Sequence, residues 1–307
     1  MNKRQWTIRP FDPAQDKPGV QKLWAGVCSF DGSVPTRTAA EIEARLKHPA
    51  HEGGAHWRVV AAGNGAIVGA LEVGLIGSVR TELMFAVNPA WRRQGIGRAL
   101  LQAAPRERRL LVTSGAAVPG VAELLGSEGF VERYREARMR RKSKGLDLLD
   151  IPDGAVVMVD TERRVDRCLA ALAEVFGDDA EQDAGLVTAW LRRPDCRVLY
   201  LKLGSRDLGM CIIAGSEHAK KSERKPDGAP NVGVVEQVGL SKVARGKGLS
   251  RPLVRAGLVE LAKLGFPEIE VLADRRRASA AELYEAEGFA LVDENIHWIR
   301  REPWAKE

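Results

Sequence analysis

Residues 88–104 read NPAWRRQGIGRALLQAA, which places two arginines, a glutamine and two glycines between an apolar run and an Ala/Leu-rich segment. The apolar run ELMFAV ends just before it, and an Ala/Leu-rich segment follows directly after Gly97. This order predicts a strand, then a glycine loop, then a helix. The first amides of a helix lack partners within it and carry partial positive charge, so the loop suits a phosphate group.

Two glycines adapt this loop to an anion. Gly95 and Gly97 let the main chain curve so that successive N–H groups point at one ligand, and the neighbouring arginines add positive charge. The stretch VEQVGLSKVARGKGLSRPLV, residues 235–254, has the same organisation. The two glycine loops lie 153 residues apart, and the tripeptide EGF recurs after 159 residues. Matches in the same order at nearly constant spacing indicate an internal duplication.

The duplication predicts two domains in a chain of 307 residues, a length that is comfortable for two hydrophobic cores. We place the N-terminal domain at residues 1–143, a linker at 144–154 and the C-terminal domain at 155–307. Each half shows hairpin-like apolar runs followed by alternating strands and helices. This pattern predicts the α/β class, with a mixed, mostly antiparallel sheet flanked by helices in each domain.

The composition limits the classes of function. The chain has 45% apolar and 29% charged residues, with no apolar run of about 20 residues and no apolar core of a signal peptide. We therefore expect a cytoplasmic protein without a membrane partner. Four widely spaced cysteines and no H-E-x-x-H motif predict no metal site. The net charge of +6 favours an anionic partner, either a phosphorylated cofactor or nucleic acid. The basic segment RYREARMRRKSK, residues 133–144, has a single aromatic residue, which disfavours nucleic acid.

Both loops resemble the fingerprint of the GNAT superfamily of acyl-CoA-dependent N-acetyltransferases. That fingerprint is Arg/Gln-x-x-Gly-x-Gly/Ala after a strand that ends in Val-x-Pro, followed later by Gly-Phe. RRQGIG at 92–97 fits it after Val87-Asn88-Pro89, and RGKGLS at 245–250 fits with Ser250 in the last place. The Gly-Phe dipeptides are at 129–130 and 288–289. Two tandem copies cover nearly the whole chain, an arrangement similar to that of the mycothiol synthases.

The resemblance implies acetyl-CoA as the cofactor, with its pyrophosphate on the loop and its pantetheine alongside the preceding strand. The residues that we expect to bind it are Phe85, Val87, Arg92, Arg93, Gln94, Gly95, Ile96 and Gly97 in the first half, and Val238, Leu240, Arg245, Gly246, Lys247, Gly248, Leu249 and Ser250 in the second.

The resemblance also implies the chemistry. In the family a tyrosine four residues before Gly-Phe protonates the leaving thiolate, and Tyr284 holds that position in the second half, whereas the first half has Leu125. Glu236 is the candidate base for the incoming amine, and regular strand alternation places it on the face of Val238 and Leu240, unless a strand irregularity inverts it. We therefore expect acetyl transfer to a primary amine in the C-terminal domain, with the N-terminal domain binding CoA or serving a structural role.

The acceptor is less well defined by the sequence. Carboxylates between the first two helices of the second half favour a cationic amine, although they also fit a solvated polar loop; they are Glu174, Asp178, Asp179, Glu181 and Asp183. Three alternatives stay open: an acyl-CoA-binding regulatory or partner protein with little turnover, an active N-terminal domain, and a nucleic-acid-associated protein that uses residues 133–144.

Overall fold

The computed structural model describes residues 5–31, 38–76, 80–105, 109–177, 184–216 and 231–300. The chain forms two compact units. Unit 1 contains Met1–Glu136 together with Asp293–Glu307, and unit 2 contains Ala137–Val292. Among the described residues, no helix has both the length and the apolar character needed to cross a lipid bilayer.

Unit 1 is built on a sheet whose strands are antiparallel except for one parallel pair. The strands are β1 (Trp6–Pro10), β2 (Arg58–Ala62), β3 (Ile67–Ile76), β4 (Arg80–Val87), β5 (Arg109–Gly115) and β12 (Ala290–Arg300), and they lie side by side in that order. The parallel pair is β4 and β5. The helices are α1 (Lys17–Asp31), α2 (Ala39–Lys47), α3 (Ile96–Gln102) and α4 (Val121–Ser127).

Unit 2 repeats this plan. Its strands, in spatial order, are β7 (Val156–Val159), β8 (Arg197–Leu203), β9 (Arg206–Gly215), β10 (Val232–Leu240), β11 (Glu268–Asp274) and β6 (Val131–Lys142). Here β10 and β11 form the parallel pair. The helices are α5 (Val165–Phe176), α6 (Ala184–Arg192), α7 (Ser250–Lys263) and α8 (Ala278–Ala286). The mixed α/β class and the tandem arrangement predicted from the sequence are confirmed.

The last strand of each copy passes into the other unit: β6 from Ala137 onward belongs to unit 2, and β12 from Asp293 onward belongs to unit 1. Ile296 and Trp298 of β12 lie in the core of unit 1, while Ala137 and Met139 of β6 lie in the core of unit 2. The structure therefore divides the chain differently from the contiguous domains predicted at 1–143 and 155–307, with the linker at 144–154. The internal repeat shows that β6 and β12 are equivalent strands. Because equivalent strands carry similar apolar patterns, either one could pair within either copy, and the sequence alone does not reveal the exchange.

Two cores in unit 2 lie on opposite faces of its sheet. The α7 core contains α7 and α8 residues, and the α5 core contains α5 and α6 residues. On α7, Leu253, Gly257 and Leu261 are buried. Gly257 allows close approach to β9, because a Cβ there would lie 2.8 Å from Cys211 Sγ. Pro252 lies in the first turn of α7, where main-chain N–H groups have no acceptor within the helix, so the missing N–H of proline costs no hydrogen bond.

The strand exchange predicts which unit loses hydrogen-exchange protection when a core residue of β12 is substituted. Trp298→Ala should lower the free energy of unfolding by about 3 kcal/mol, because it empties a buried tryptophan site. Hydrogen exchange should show lost protection in β5 of unit 1 rather than in β11 of unit 2. Val292→Ala, at an exposed position, is the control and should change stability by less than about 0.5 kcal/mol. Lost protection confined to β11 would contradict the exchange.

Candidate functional site

Each unit contains a fork where its two parallel strands separate. In unit 1, β4 pairs with β5 from Arg80 to Leu83 but continues to Val87. In unit 2, β10 pairs with β11 from Val232 to Val235 and continues to Leu240. Beyond the paired residues, one edge of β4 and of β10 is no longer bonded to the parallel neighbour. An extended ligand with amide groups can bind such an edge as a strand would.

The glycine loop follows each fork and presents main-chain amides to one side. Arg93 and Gly95 have φ of 61° and 84°, and Gly246 and Gly248 have φ of 74° and 73° at the equivalent positions. Among the main-chain hydrogen bonds of the described residues, none uses the amides of residues 94–98 or 246–251 as donors. A curved main chain with unused N–H groups at a helix start is an anion-binding nest. Both loops have this form.

Some predicted ligand residues instead hold the loop in place. Ile96 and Leu249 are buried in the cores of their units, so that only their main-chain groups are available. A Cβ on Gly97 would lie 2.8 Å from Leu124 Cδ2, which makes this glycine a requirement of helix packing. Ser250 takes that place in unit 2 and is exposed.

The first arginine of each loop also has a different position from the one expected. Arg92 forms a two-pronged ion pair with Asp31, at 2.9 and 2.7 Å, and its Nε donates to Val87 O. Arg245 donates to Leu240 O at 3.1 Å and to Val175 O at 2.9 Å. These guanidinium groups tie the loop to the preceding strand and helix, instead of standing free at the phosphate rim.

The remaining polar side chains of the loops are placed to meet a ligand. Arg93 and Lys247 are exposed, and Gln94 is half-buried. The Arg93 guanidinium lies beside Gly120, which caps the start of α4. Two cations therefore remain available beside the nests, one in each unit.

The predicted pantetheine positions lie on the side of the sheet that faces the loop helices. Phe85 and Val87 pack partly buried against the core of unit 1, and a Cβ on Gly97 of α3 would lie 3.9 Å from Val87. Val238 and Leu240 occupy the corresponding side in the α7 core. In both units this side of the fork is apolar.

A bulge in β10 distinguishes unit 2 from unit 1. Val235 lies opposite Ile213 and Gln237 lies opposite Ile212, so the register shifts at Glu236, which is the inserted residue of the bulge. The pairing of β3 with β4 continues without a shift from Gly69 to Ile76. Relative to unit 1, the strand of unit 2 carries one more residue at the fork.

The bulge corrects the face predicted for Glu236. Val235, Val238 and Leu240 all contact the α7 core, so the alternation shifts by one residue across the bulge. Burial raises the pKa of Cys196 to about 11, Arg193 lowers it, and the charges of Asp195 and Glu236 raise it further. Because neighbouring strand residues alternate, Glu236, next to Val235 of the α7 core, turns toward the α5 core, to which Cys196 belongs. The shared face with Val238 and Leu240 is therefore wrong.

Tyr284 lies on the other side of β10. It is buried in the α7 core, and its ring packs edge-on against Phe289 with centroids 5.6 Å apart. Burial raises the pKa of the Tyr284 phenol above its ordinary value, so its proton is retained at neutral pH. Leu125, at the same place in unit 1, is fully buried and has no proton to give. The tyrosine and Glu236 thus flank the fork of unit 2 from opposite faces.

A buried carboxylate joins the loop helix to the helix of Tyr284. Glu287 accepts hydrogen bonds from Nε of Arg251, at 2.7 Å, and from Nε of Arg255. In unit 1, Glu128 accepts from Arg98 Nε at 2.7 Å. The repeated tripeptide EGF is visible in the sequence. The sequence alone does not show that its glutamate, Glu128 or Glu287, links the loop helix to the helix that precedes the tripeptide.

Part of the basic segment at 133–144 is paired with carboxylates within the protein. Arg135 forms ion pairs with Glu132 and Glu294. Arg140 bonds Glu270 at 2.6 Å and also pairs with Glu268. In the acidic stretch of the second half, Glu174 is exposed on α5, and residues 178–183 lie outside the described part of the chain.

Comparison with known proteins agrees with this geometry. Residues 53–132 match the model of the acetyltransferase (GNAT) domain. The mycothiol acetyltransferase of Geodermatophilus obscurus is 29% identical over 304 residues, which cover 94% of this chain and 96% of that protein. The mycothiol acetyltransferase of Thermobifida fusca is 30% identical over 237 residues, which cover 70% and 73%.

Solved structures share the fold at low identity. A GCN5-related N-acetyltransferase from Sphaerobacter thermophilus superposes with a TM-score of 0.76 and 18% identity, over 97% of this chain and 96% of that one. A tandem GNAT protein from the clavulanic acid biosynthesis pathway gives 0.69 and 17%, over 96% and 98%. With the nests, the forks and these relatives together, the chain belongs to the GNAT acetyltransferases and is an acetyltransferase of their tandem form.

Proposed function

We propose that this enzyme transfers the acetyl group of acetyl-CoA to a primary amine and that unit 2 carries the reaction. The observation that supports this most directly is the bulge, because it inserts a carboxylate at the fork of unit 2 alone among the described parallel pairs. A tyrosine on the opposite face completes an acid and base pair around one strand.

Acetyl-CoA binding is proposed for both units. The pyrophosphate would accept hydrogen bonds from the amides of residues 94–98 or 246–251, with Arg93 or Lys247 beside it. The pantetheine amides would bond to the free edge of β4 or β10, over the apolar side of the fork. The thioester then lies where the parallel strands separate.

The proposed reaction uses one group from each face of β10. Glu236 takes a proton from the ammonium group, and the neutral amine attacks the thioester carbon. Main-chain amides near residues 238–240 stabilise the resulting oxyanion, the C–S bond breaks, and Tyr284 protonates the departing thiolate. The nitrogen loses its second proton to solvent as the amide forms, and exchange with solvent then returns the proton of Tyr284 and removes that of Glu236. Desolvation raises the pKa of a buried thiolate as well as that of the phenol, so that the proton transfer remains feasible.

The proposed acceptor is a small molecule. Since the curated relatives are named mycothiol acetyltransferases, the first acceptor to assay is the unacetylated form of mycothiol. A cationic amine agrees with the carboxylates at 174–183. Release of CoA, measured with this compound and with a panel of polyamines, amino sugars and amino acids, tests the activity directly.

Cofactor stoichiometry tests the two nests. Calorimetry should detect two molecules of CoA per chain, and Gly248→Val should remove one of them. Valine at a φ of 73° is strained by about 1–3 kcal/mol, and its side chain enters the open space of the nest. Gly204→Val is the matched control, because Gly204 has a φ of 60° and similar open space in the turn between β8 and β9. Equal binding by both variants would contradict a nest at 246–251.

Tyr284→Phe tests the proton donor. The ring and its packing are kept, so we expect stability to be nearly unchanged and kcat to fall by more than about tenfold. Tyr200→Phe is the control, because it also removes one hydroxyl from a fully buried tyrosine of unit 2. A kcat that equals that of the wild type in Tyr284→Phe would exclude this role for the tyrosine.

Glu236→Gln tests the base. We expect kcat to fall by about a hundredfold while KM for acetyl-CoA changes by less than about twofold, because the carboxylate faces the side away from the pantetheine. Glu285→Gln, at an exposed position on α8, is the control for loss of one carboxylate. A larger effect on KM for acetyl-CoA than on kcat would argue against proton removal.

A further inference from the structure

The fork of unit 1 carries a different set of polar side chains. Val112 is the last residue of β5 that pairs with β4, so Thr113 is the first beyond the separation. His297 of β12 lies opposite it, with 3.1 Å between Thr113 Oγ1 and His297 Nδ1. The other ring nitrogen, Nε2, is 2.7 Å from Glu136 Oε2. A hydroxyl, an imidazole and a carboxylate thus form one continuous chain.

Their chemistry fixes the direction of the hydrogen bonds. An ionised carboxylate only accepts, so the proton of neutral His297 is on Nε2, and Nδ1 accepts from the Thr113 hydroxyl. The Tyr134 ring stacks on the imidazole, with centroids 4.2 Å apart and planes within 8°, which holds the ring in position. Thr113 is exposed, whereas the histidine and glutamate side chains are 21% and 22% exposed. The outer lone pairs of the hydroxyl therefore face solvent.

The chain lies on the sheet face opposite α3. Strand pairing connects Gly74 with Glu82 and Glu82 with Leu111, and side chains of paired residues share a face. His51, just after α2, contacts Gly74 on this face, so Leu111 and Thr113 are on the α2 side. This is the side from which an acceptor would approach, since the CoA nest and the apolar edge of the fork are on the α3 side.

Unit 2 has no such chain at the equivalent positions. Leu272 follows Val271, the last paired residue of β11, and it is exposed. Counting from each Gly-Phe dipeptide, Arg138 corresponds to His297. Unit 1 in turn lacks the bulge of β10 and has Leu125 at the tyrosine position. Each fork thus holds a proton acceptor on the same face, delivered by a different strand.

We propose that unit 1 is a second acetyl-transfer site for small primary amines, in which the hydrogen-bonded chain of Thr113, His297 and Glu136 is the proton acceptor. This rests on acetyl-CoA binding to unit 1 as proposed above. The ammonium group passes a proton to Thr113 Oγ1 while the hydroxyl proton moves to His297 Nδ1. The neutral amine attacks the thioester carbon, and its nitrogen loses a second proton to solvent as the C–S bond breaks. The imidazolium returns its proton through solvent to the CoA thiolate. The amide and the CoA thiol leave, and His297 is neutral again.

The test uses a chain whose unit 2 is silenced by Tyr284→Phe together with Glu236→Gln. Full-length protein should retain acetyl-CoA- and amine-dependent release of CoA with a panel of spermidine, glucosamine and a lysine amide. Adding His297→Gln should reduce the remaining kcat at least tenfold without changing the amount of CoA bound. His56→Gln is the matched control, since it removes another His–Glu pair of unit 1, at 3.1 Å on the surface.

A second variant separates proton transfer from strand stability. Thr113→Val keeps the shape of the side chain and should lower the remaining kcat, and Thr113→Ser should restore it. Loss of transfer to every amine in the silenced chain, or equal rates for His297→Gln and His56→Gln, would overturn the inference. If silencing unit 2 leaves the full rate unchanged, the proposed function fails instead; His297→Gln in the otherwise unaltered chain then decides whether unit 1 is active.

Discussion

The separation of two parallel strands after only four paired residues is the constraint on which both proposed sites depend. It leaves one edge of β4 and β10 open, and it brings strand, glycine loop and helix start to one place. The open edges would be lost if the parallel pairing continued. The arginines that bond back to Val87 O and Leu240 O hold each loop against the end of its strand. Glu128 in unit 1 and the buried Glu287 in unit 2 then fix the following helices against each other.

One inserted residue accounts for much of the difference between the copies. A bulge leaves its extra residue outside the pairing, where a charged side chain can reach the fork without entering the sheet core. In unit 1 the strand is regular, and the polar groups come from β5, β12 and β6. The two forks therefore share the proposed means of binding a cofactor but differ in the groups that an acceptor would meet.

Sequence alone predicted the fold class and both nests, because positive-φ glycines and helix starts leave local signals. It could not predict the exchange of β6 and β12, since equivalent strands carry the same pattern of apolar residues. It also misplaced Glu236, because a bulge changes alternation without a distinctive residue signal. The chain of Thr113, His297 and Glu136 joins residues up to 184 positions apart, and only the tertiary pairing brings them together.

The strand exchange affects how the two copies within one chain can diverge in sequence from each other. Two identical polypeptides, each with a single copy, could make the same reciprocal exchange in a symmetric homodimer. Symmetry would then force both forks to be identical, because any mutation would occur in each subunit. Joining the copies end to end keeps the exchanged strands and removes that restriction. A single polypeptide can therefore evolve a glutamate at one fork and a histidine at the other.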